Sequence, residues 1–276
     1  MSAGPPGADH TQGHDAGTLA RLTGLGHGRT GSPEGGGRYG LLLLVLIGTY
    51  LLGAFSGANL ATEVQVVLFA LIALIALRTS PLPAPWPAVI GTITVIGTAV
   101  TFWTSLSGTR NGKATEDFWK ALLLLMAAVM VVRRVLAKPE VTIQSIYGAL
   151  SAYLITGLMF ASVYFGMQHL GTSDFFANNQ PANTQTFQYF SFTTLTTLGY
   201  GDFTAAESGG RSIAVLEALT GQIFLATLVL AEQGFHFNAA LLSTIAVLLV
   251  AVLTVLSIAF YLAEWVRHMN SFGAAH

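Results

Sequence analysis

The sequence contains no cysteine and few charged residues. Without cysteine the chain can form neither disulfides nor thiolate metal sites, and it cannot use a cysteine nucleophile. Only 9% of its 276 residues are charged, whereas an ordinary soluble domain has about 25%. A net charge of −1 leaves no basic face that would suggest nucleic acid as a partner. Hydrophobic residues make up 53% of the chain instead, a composition typical of an integral membrane protein.

Catalytic groups are scarce as well. The serines and histidines are scattered and form no set of nucleophile, base and orienting group, so we expect neither an enzyme nor a cofactor. Residues 1–38 are rich in glycine and proline and are predicted to be a disordered tail. The tail histidines, His10, His14 and His27, lack the close spacing that a metal site needs.

Long hydrophobic runs dominate the rest of the chain. A helix of about 20 residues crosses the hydrocarbon core, and the runs predict four peripheral transmembrane helices within residues 39–138, at 39–55, 64–77, 87–106 and 117–136. Two further spans, 143–167 and 211–231, flank a short helix at 185–196, and an extra C-terminal helix is predicted to cross at 237–266. The predicted fold class is therefore an all-α integral membrane protein.

The stretch between the short helix and the next span reads Thr197-Leu198-Gly199-Tyr200-Gly201-Asp202. A chain that points successive carbonyls at one axis needs positive φ at alternate residues, which the two glycines allow at little steric cost. The Thr197 hydroxyl can add another oxygen. Leu198 and Tyr200 are predicted to point backward and brace the loop, and Asp202 to turn the chain outward.

The domain 142–232 resembles the pore module of the tetrameric potassium channels. It consists of a helix, a short helix followed by a T-x-G-Y-G loop, and a second helix. The resemblance implies that the carbonyls of residues 197–201 bind K⁺ in place of its hydration shell. One loop per chain implies a homotetramer in membrane lipid. This loop would be the selectivity filter of the channel. The residues expected to support it are Asp202 and the threonines of the short helix, Thr193, Thr194 and Thr196.

The resemblance also predicts the orientation. The loop of this family enters from outside, so the N-terminus is expected to be cytoplasmic in a multi-pass protein of the plasma membrane, or of the inner membrane if the source is bacterial. Seven of the 12 basic residues then lie inside, in agreement with the positive-inside rule: Arg21, Arg29, Arg38, Arg78, Arg133, Arg134 and Lys138. The 107–117 connector is placed outside.

Two features depart from the voltage-gated and ligand-gated members. A voltage sensor needs repeated cations within a span, and residues 121–130 carry none, so the 39–138 domain is predicted to lack one. After the span 211–231, which corresponds to the inner helix of this family, comes another apolar run in place of a ligand-sensing domain. Any such regulator is expected to be a separate subunit.

Two residues of the inner helix are candidates for a functional role, Glu217 and Gly221. Glu217 is an intramembrane carboxyl, which is either functional or a protonated or hydrogen-bonded brace behind the short helix, with Thr193 and Thr194 as its expected hydroxyl partners. Gly221 lies 20 residues after Gly201. It is either a gating hinge, which the spacing favours, or a site of close helix packing.

The resulting functional prediction is a potassium-selective channel that conducts passively and is not voltage-gated. A potassium transporter subunit is the first alternative, although such relatives carry four degenerate loops in one chain. A non-selective cation channel and a non-conducting membrane scaffold are the others.

Overall fold

A computed structural model describes residues 38–55, 59–78, 83–106, 108–136 and 142–232 of the chain. The predicted disordered tail, except for residue 38, and the predicted C-terminal helix at 237–266 lie outside the described residues.

The regular elements in these ranges are helical, as predicted. They are α1 (Arg38–Phe55), α2 (Asn59–Arg78), α3 (Trp86–Leu106), α4 (Arg110–Leu136), α5 (Ile143–Leu170), a 3-10 turn (Ala177–Asn179), α6 (Thr184–Leu195) and α7 (Ser208–Glu232). Three segments are long and apolar enough to cross a membrane, namely α3, α5 and Ser208–Val229 of α7, and two shorter apolar segments lie in α1 and α2. The all-α membrane fold is therefore confirmed.

Helix α4 begins earlier than the sequence indicated. Residues 107–117 were expected to form a connector, but the helix starts at Arg110 and includes Glu116 and Asp117. Both side chains are buried and form ion pairs with Lys120, one turn further along the helix. Their polarity is thus compensated inside the protein, and the helix can begin before them instead of after them.

Helix α5 lies at the centre of the described structure and packs against α1, α4, α6 and α7. Its buried face carries large apolar side chains, including Leu158, Met159 and Val163. Helix α1 also reaches α6, where the ring of Tyr50 meets that of Phe192 edge-on at 5.1 Å between centroids. Of the peripheral helices, α1 and α4 therefore pack against α5, and α1 also against α6, whereas α2 and α3 pack against α4 and each other.

An aromatic cluster anchors the short helix α6 to α5 and to the loop between them. The ring of Phe187 stacks on that of Phe176 at 4.8 Å and meets that of Phe175 at 5.3 Å. Tyr164 of α5 meets Phe190 of α6 at 5.1 Å. Such pairs contribute beyond the area that they bury, and this cluster fixes the position from which the chain leaves α6.

Candidate functional site

The short helix α6 begins with a capping box and ends directly at the predicted loop. The side chain of Asn183 accepts a hydrogen bond from the backbone N–H of Thr186, and the Thr186 hydroxyl accepts one from the N–H of Asn183. After Leu195 the chain continues as a tight turn, in which the N–H of Thr197 donates to the carbonyl of Thr194 at 2.9 Å. The N–H of Gly199 then donates to the Thr193 carbonyl at 3.1 Å.

The loop backbone alternates in conformation. Positive φ occurs at Thr197 (59°), Gly199 (48°) and Gly201 (79°), with Leu198 and Tyr200 between them. Alternation of this kind is the condition for turning successive carbonyls toward one side. The sequence identified the two glycines but missed Thr197, which adopts this conformation although it has a side chain, at a cost of about 1–3 kcal/mol.

Neighbouring side chains brace the loop. The ring of Tyr200 stacks on that of Tyr189 in α6 at 6.4 Å and 12° between planes. Gln222 of α7 donates from Nε2 to Oγ1 of Thr197 at 3.2 Å, and the Tyr153 hydroxyl of α5 donates to the Leu195 carbonyl at 3.2 Å. Each of the three flanking helices therefore contacts the loop or the helix end just before it.

At the far end of the loop, Asp202 is held from two sides. Gln180 donates from Nε2 to its backbone carbonyl. Its carboxylate accepts a hydrogen bond from the phenol of Tyr189, and this bond raises the pKa of that phenol. The chain then returns past Phe176, whose neighbour Ala177 donates from its N–H to the Thr204 carbonyl at 2.8 Å.

Three threonines were expected to support the loop, and the hydroxyl groups of two of them bond to backbone carbonyls of α6. The hydroxyl of Thr193 donates to the Phe190 carbonyl at 3.0 Å, and that of Thr196 to the Phe192 carbonyl at 2.6 Å. Thr194 contributes its backbone carbonyl to the turn. These contacts are local, and their part in the function stays a prediction.

Glu217 has different partners from those expected. Its carboxyl group is fully buried, with Oε1 at 2.5 Å from the Ser191 hydroxyl and Oε2 at 2.6 Å from the Tyr164 hydroxyl. The expected pairing with Thr193 and Thr194 is thus wrong. Ser191 lies one helical turn before Leu195 on the stripe of α6 that faces α7, and this stripe brings it to Glu217. We call Glu217, Ser191, Tyr164 and the carbonyl of Gly157 the Glu217 network.

Gly221 lies one turn after Glu217, where α7 crosses the end of α6. A Cβ at this position would overlap the carbonyl oxygen of Leu195, the last residue of α6. Close packing therefore explains why the residue is glycine. A hinge at this position, which the sequence spacing favoured, stays a prediction.

A second buried polar group was not recognised in the sequence. Nζ of Lys120 lies 2.7 Å from Oε1 of Glu116 and 3.1 Å from Oδ1 of Asp117, and Oδ2 of Asp117 lies 2.7 Å from Nδ1 of His169 in α5. The signal was present, since acidic residues three and four positions before a lysine share one helix face. We call these four residues the Lys120 cluster.

A comparison with protein families adds one finding to this geometry. A family model described as "Ion channel" matches residues 148–237, which includes most of α5, all of α6 with its loop, and α7. The match supports an ion channel function and, with the apolar helices, a multi-pass membrane location. Neither the search of curated proteins nor that of solved structures returned a match. Within the described residues, no group of three or more histidines and carboxylates is arranged to hold a metal ion.

Proposed function

We propose that this chain is the subunit of a potassium-selective channel, in which four copies place their 197–201 loops around a common axis. The observation that carries the proposal is the alternating positive φ at Thr197, Gly199 and Gly201. A ring of such loops would surround an ion with carbonyl oxygens that replace its water. The permeant ion is the cargo, and no resident cofactor is part of the proposal.

The end of α6 supports a cationic cargo. The carbonyl end of a helix carries a partial negative charge, which favours cations nearby, and α6 ends immediately before the loop. On the other side of the loop lies the carboxylate of Asp202. A cation that passes along the loop would therefore meet favourable electrostatics at both ends.

The exposure of the loop in a single chain supports the tetramer. Leu198 and Tyr200 are 61% and 68% exposed, and the loop backbone is irregular. Irregular backbone at membrane depth is stable only against protein or a water-filled cavity. Neighbouring copies on one side and an aqueous axis on the other would provide both environments.

Passive conduction without a voltage sensor is also part of the proposal. The middle of α4 carries no charge between residues 121 and 130. Lys120 is buried and held by Glu116 and Asp117, so it is poorly suited to move through the membrane field. Steep voltage dependence of several gating charges per subunit is therefore not expected.

A flux assay in liposomes tests the proposal. The purified protein should pass potassium and rubidium well above sodium without a second driving gradient. Gly199→Ala and Gly201→Ala should each abolish flux or selectivity, because an L-residue at positive φ is strained by about 1–2 kcal/mol in every subunit. Gly108→Ala is the matched control, since Gly108 also has positive φ (70°) with open space around it but lies outside the loop.

The outcomes separate the alternatives. Potassium selectivity that survives in both loop variants would refute the assignment of the loop. Equal potassium and sodium flux in the unmodified protein would indicate a non-selective cation channel. Flux that needs a second ion gradient would indicate a transporter, and no flux at all would indicate a scaffold.

A further inference from the structure

The hydrogen atoms of the Glu217 network can be counted from its heavy-atom contacts. The Ser191 hydroxyl oxygen lies 2.5 Å from Oε1 of Glu217 and 2.7 Å from the carbonyl oxygen of Gly157. Both distances are in the range of hydrogen bonds between oxygens. A serine hydroxyl has one hydrogen, however, and a carbonyl oxygen can only accept.

An ionised Glu217 would leave one of these contacts without a hydrogen. Ser191 would then face two acceptors with a single proton, and two oxygens would lie in contact with nothing between them. A protonated Glu217 removes the conflict. Tyr164 donates to Oε2, the proton on Oε1 is donated to Ser191, and Ser191 donates to the carbonyl of Gly157. Every donor in this chain then has one acceptor.

The surroundings of Glu217 also favour a neutral group. An isolated carboxylate is expensive to bury without a cation, and Glu217 is fully buried. The partners that reach its carboxyl oxygens, Ser191 and Tyr164, are uncharged hydroxyl groups. The nearest basic residue along α7, Arg211, donates instead to the carbonyls of Ala205 and Ala206.

The network joins three helices behind the loop. Gly157 and Tyr164 belong to α5, Ser191 belongs to α6, and Glu217 belongs to α7. Gly157 has room for only a hydrogen, since a Cβ there would lie 2.6 Å from the ring of Phe192, and this lets α6 approach its carbonyl. Helix α6 leads directly into the 197–201 loop, so the hydrogen bonds of Ser191 fix the position from which the loop begins.

We propose that Glu217 is a positioning residue that works in its protonated form, as the neutral link of a hydrogen-bond chain from Tyr164 to Gly157 that holds α6, and with it the loop, in place between α5 and α7. This inference rests on the proposed function as far as ion selectivity is concerned. The protonated state of the residue can be tested without any conduction.

Conduction tests the positioning role. Glu217→Gln keeps a donor for Ser191 and an acceptor for Tyr164 in nearly the same shape, and it should retain the rubidium-to-sodium flux ratio within about twofold. Glu217→Ala should lower this ratio by about tenfold or more, because the hydroxyls of Ser191 and Tyr164 lose their partner. Assembly of each variant is followed by size-exclusion chromatography, so that a loss of selectivity is read only from assembled protein.

Two conduction results would overturn the role. Equal loss of selectivity in assembled Glu217→Gln and Glu217→Ala would mean that a charged carboxylate is needed. Normal selectivity in Glu217→Ala would mean that the network does not position the loop.

Infrared spectroscopy tests the proton directly, on purified protein at neutral pH. The C=O stretch of a carboxylic acid is separate from the carboxylate bands. It should be present in the unmodified protein and lost in Glu217→Gln, but kept in Asp117→Asn, which alters a buried carboxyl group of the Lys120 cluster. An unchanged acid band in Glu217→Gln would refute the protonated state. If the unmodified protein does not select potassium but shows this band, the proposed function fails and the protonation stands.

Discussion

Buried carboxyl groups occur in two regions of the described structure, and their partners differ. In the Glu217 network the carboxyl meets the hydroxyls of Ser191 and Tyr164. In the Lys120 cluster, Glu116 and Asp117 meet an ammonium group, and Asp117 also meets His169. The side chains involved are all at most 3% exposed, namely Glu116, Asp117, Lys120 and Glu217.

The difference shows that burial alone does not determine the charge of a carboxyl group. Hydroxyl partners offer hydrogen bonds without a compensating charge, so the proposed state of Glu217 is neutral. An ammonium partner compensates the charge itself, and Lys120 forms such ion pairs with Glu116 and Asp117. The neutral network lies beside the loop, whereas the ionic cluster joins α4 to the end of α5.

The largest expected effect comes from breaking the ionic cluster. Lys120→Met leaves Glu116 and Asp117 buried next to each other without their cation. It should lower the free energy of unfolding by about 3–5 kcal/mol, since removing one partner leaves an uncompensated buried charge. Chemical denaturation in detergent measures the effect. Lys113→Met is the matched control, because Lys113 is exposed on the same helix, and an equal loss in this control would contradict the explanation.

A pair of isosteric substitutions sharpens the comparison. Asp117→Asn should lower the free energy of unfolding by about 1.5–3 kcal/mol, because hydrogen bonds to charged groups are lost. Glu217→Gln makes the same change of a carboxyl to an amide but should lower it by less than about 0.5 kcal/mol, since a neutral group replaces a neutral group of the same shape. Denaturation of both variants under one condition checks the difference. Similar losses in the two variants would mean that the two regions do not differ in charge.

An effect smaller than that of Lys120→Met is expected where packing sets the spacing of the Glu217 network. Gly221→Ala places a Cβ against the Leu195 carbonyl and pushes α7 away from α6, which also separates Glu217 from Ser191. It should lower the free energy of unfolding by about 1–3 kcal/mol, as overpacking does. Gly209→Ala on the same helix is the control, because its Cβ would meet nothing closer than 3.9 Å.

Gly221→Ala also separates the two explanations of this glycine. Packing predicts a less stable assembly in detergent with nearly normal gating of the channels that remain. A hinge predicts a lower open probability with unchanged stability. Single-channel recordings beside a thermal dissociation curve of the same variant distinguish them, and normal results in both would remove Gly221 from the mechanism.

Local sequence signals predicted most of the helices within a few residues. The short helix was expected at 185–196 and lies at Thr184–Leu195, where a capping box starts it and the tight turn into the loop ends it. The start of α4 was missed by seven residues, at Arg110 instead of 117. Polar residues at a helix start were interpreted as a connector, whereas their burial and pairing depend on α5.

The partners of the candidate site were harder to predict than its backbone. Glycine tolerates positive φ whatever surrounds it, so Gly199 and Gly201 could be identified from the sequence. Thr197 could not, because nothing local favours that conformation for a threonine. Only the contact of its hydroxyl with Gln222 and the turn bonds from α6 account for it.

The sequence by itself determined that the chain crosses membranes as helices and that one short stretch can turn its carbonyls to one side. Both properties follow from local chemistry, namely apolar side chains in runs and glycine at alternate positions. Only the tertiary structure decided which hydroxyls meet Glu217, why residue 221 is glycine, and that Lys120 is buried between two carboxylates. These contacts join residues 26 to 53 positions apart in the case of Glu217, and the crossing of helices, which no local signal encodes, brings them together.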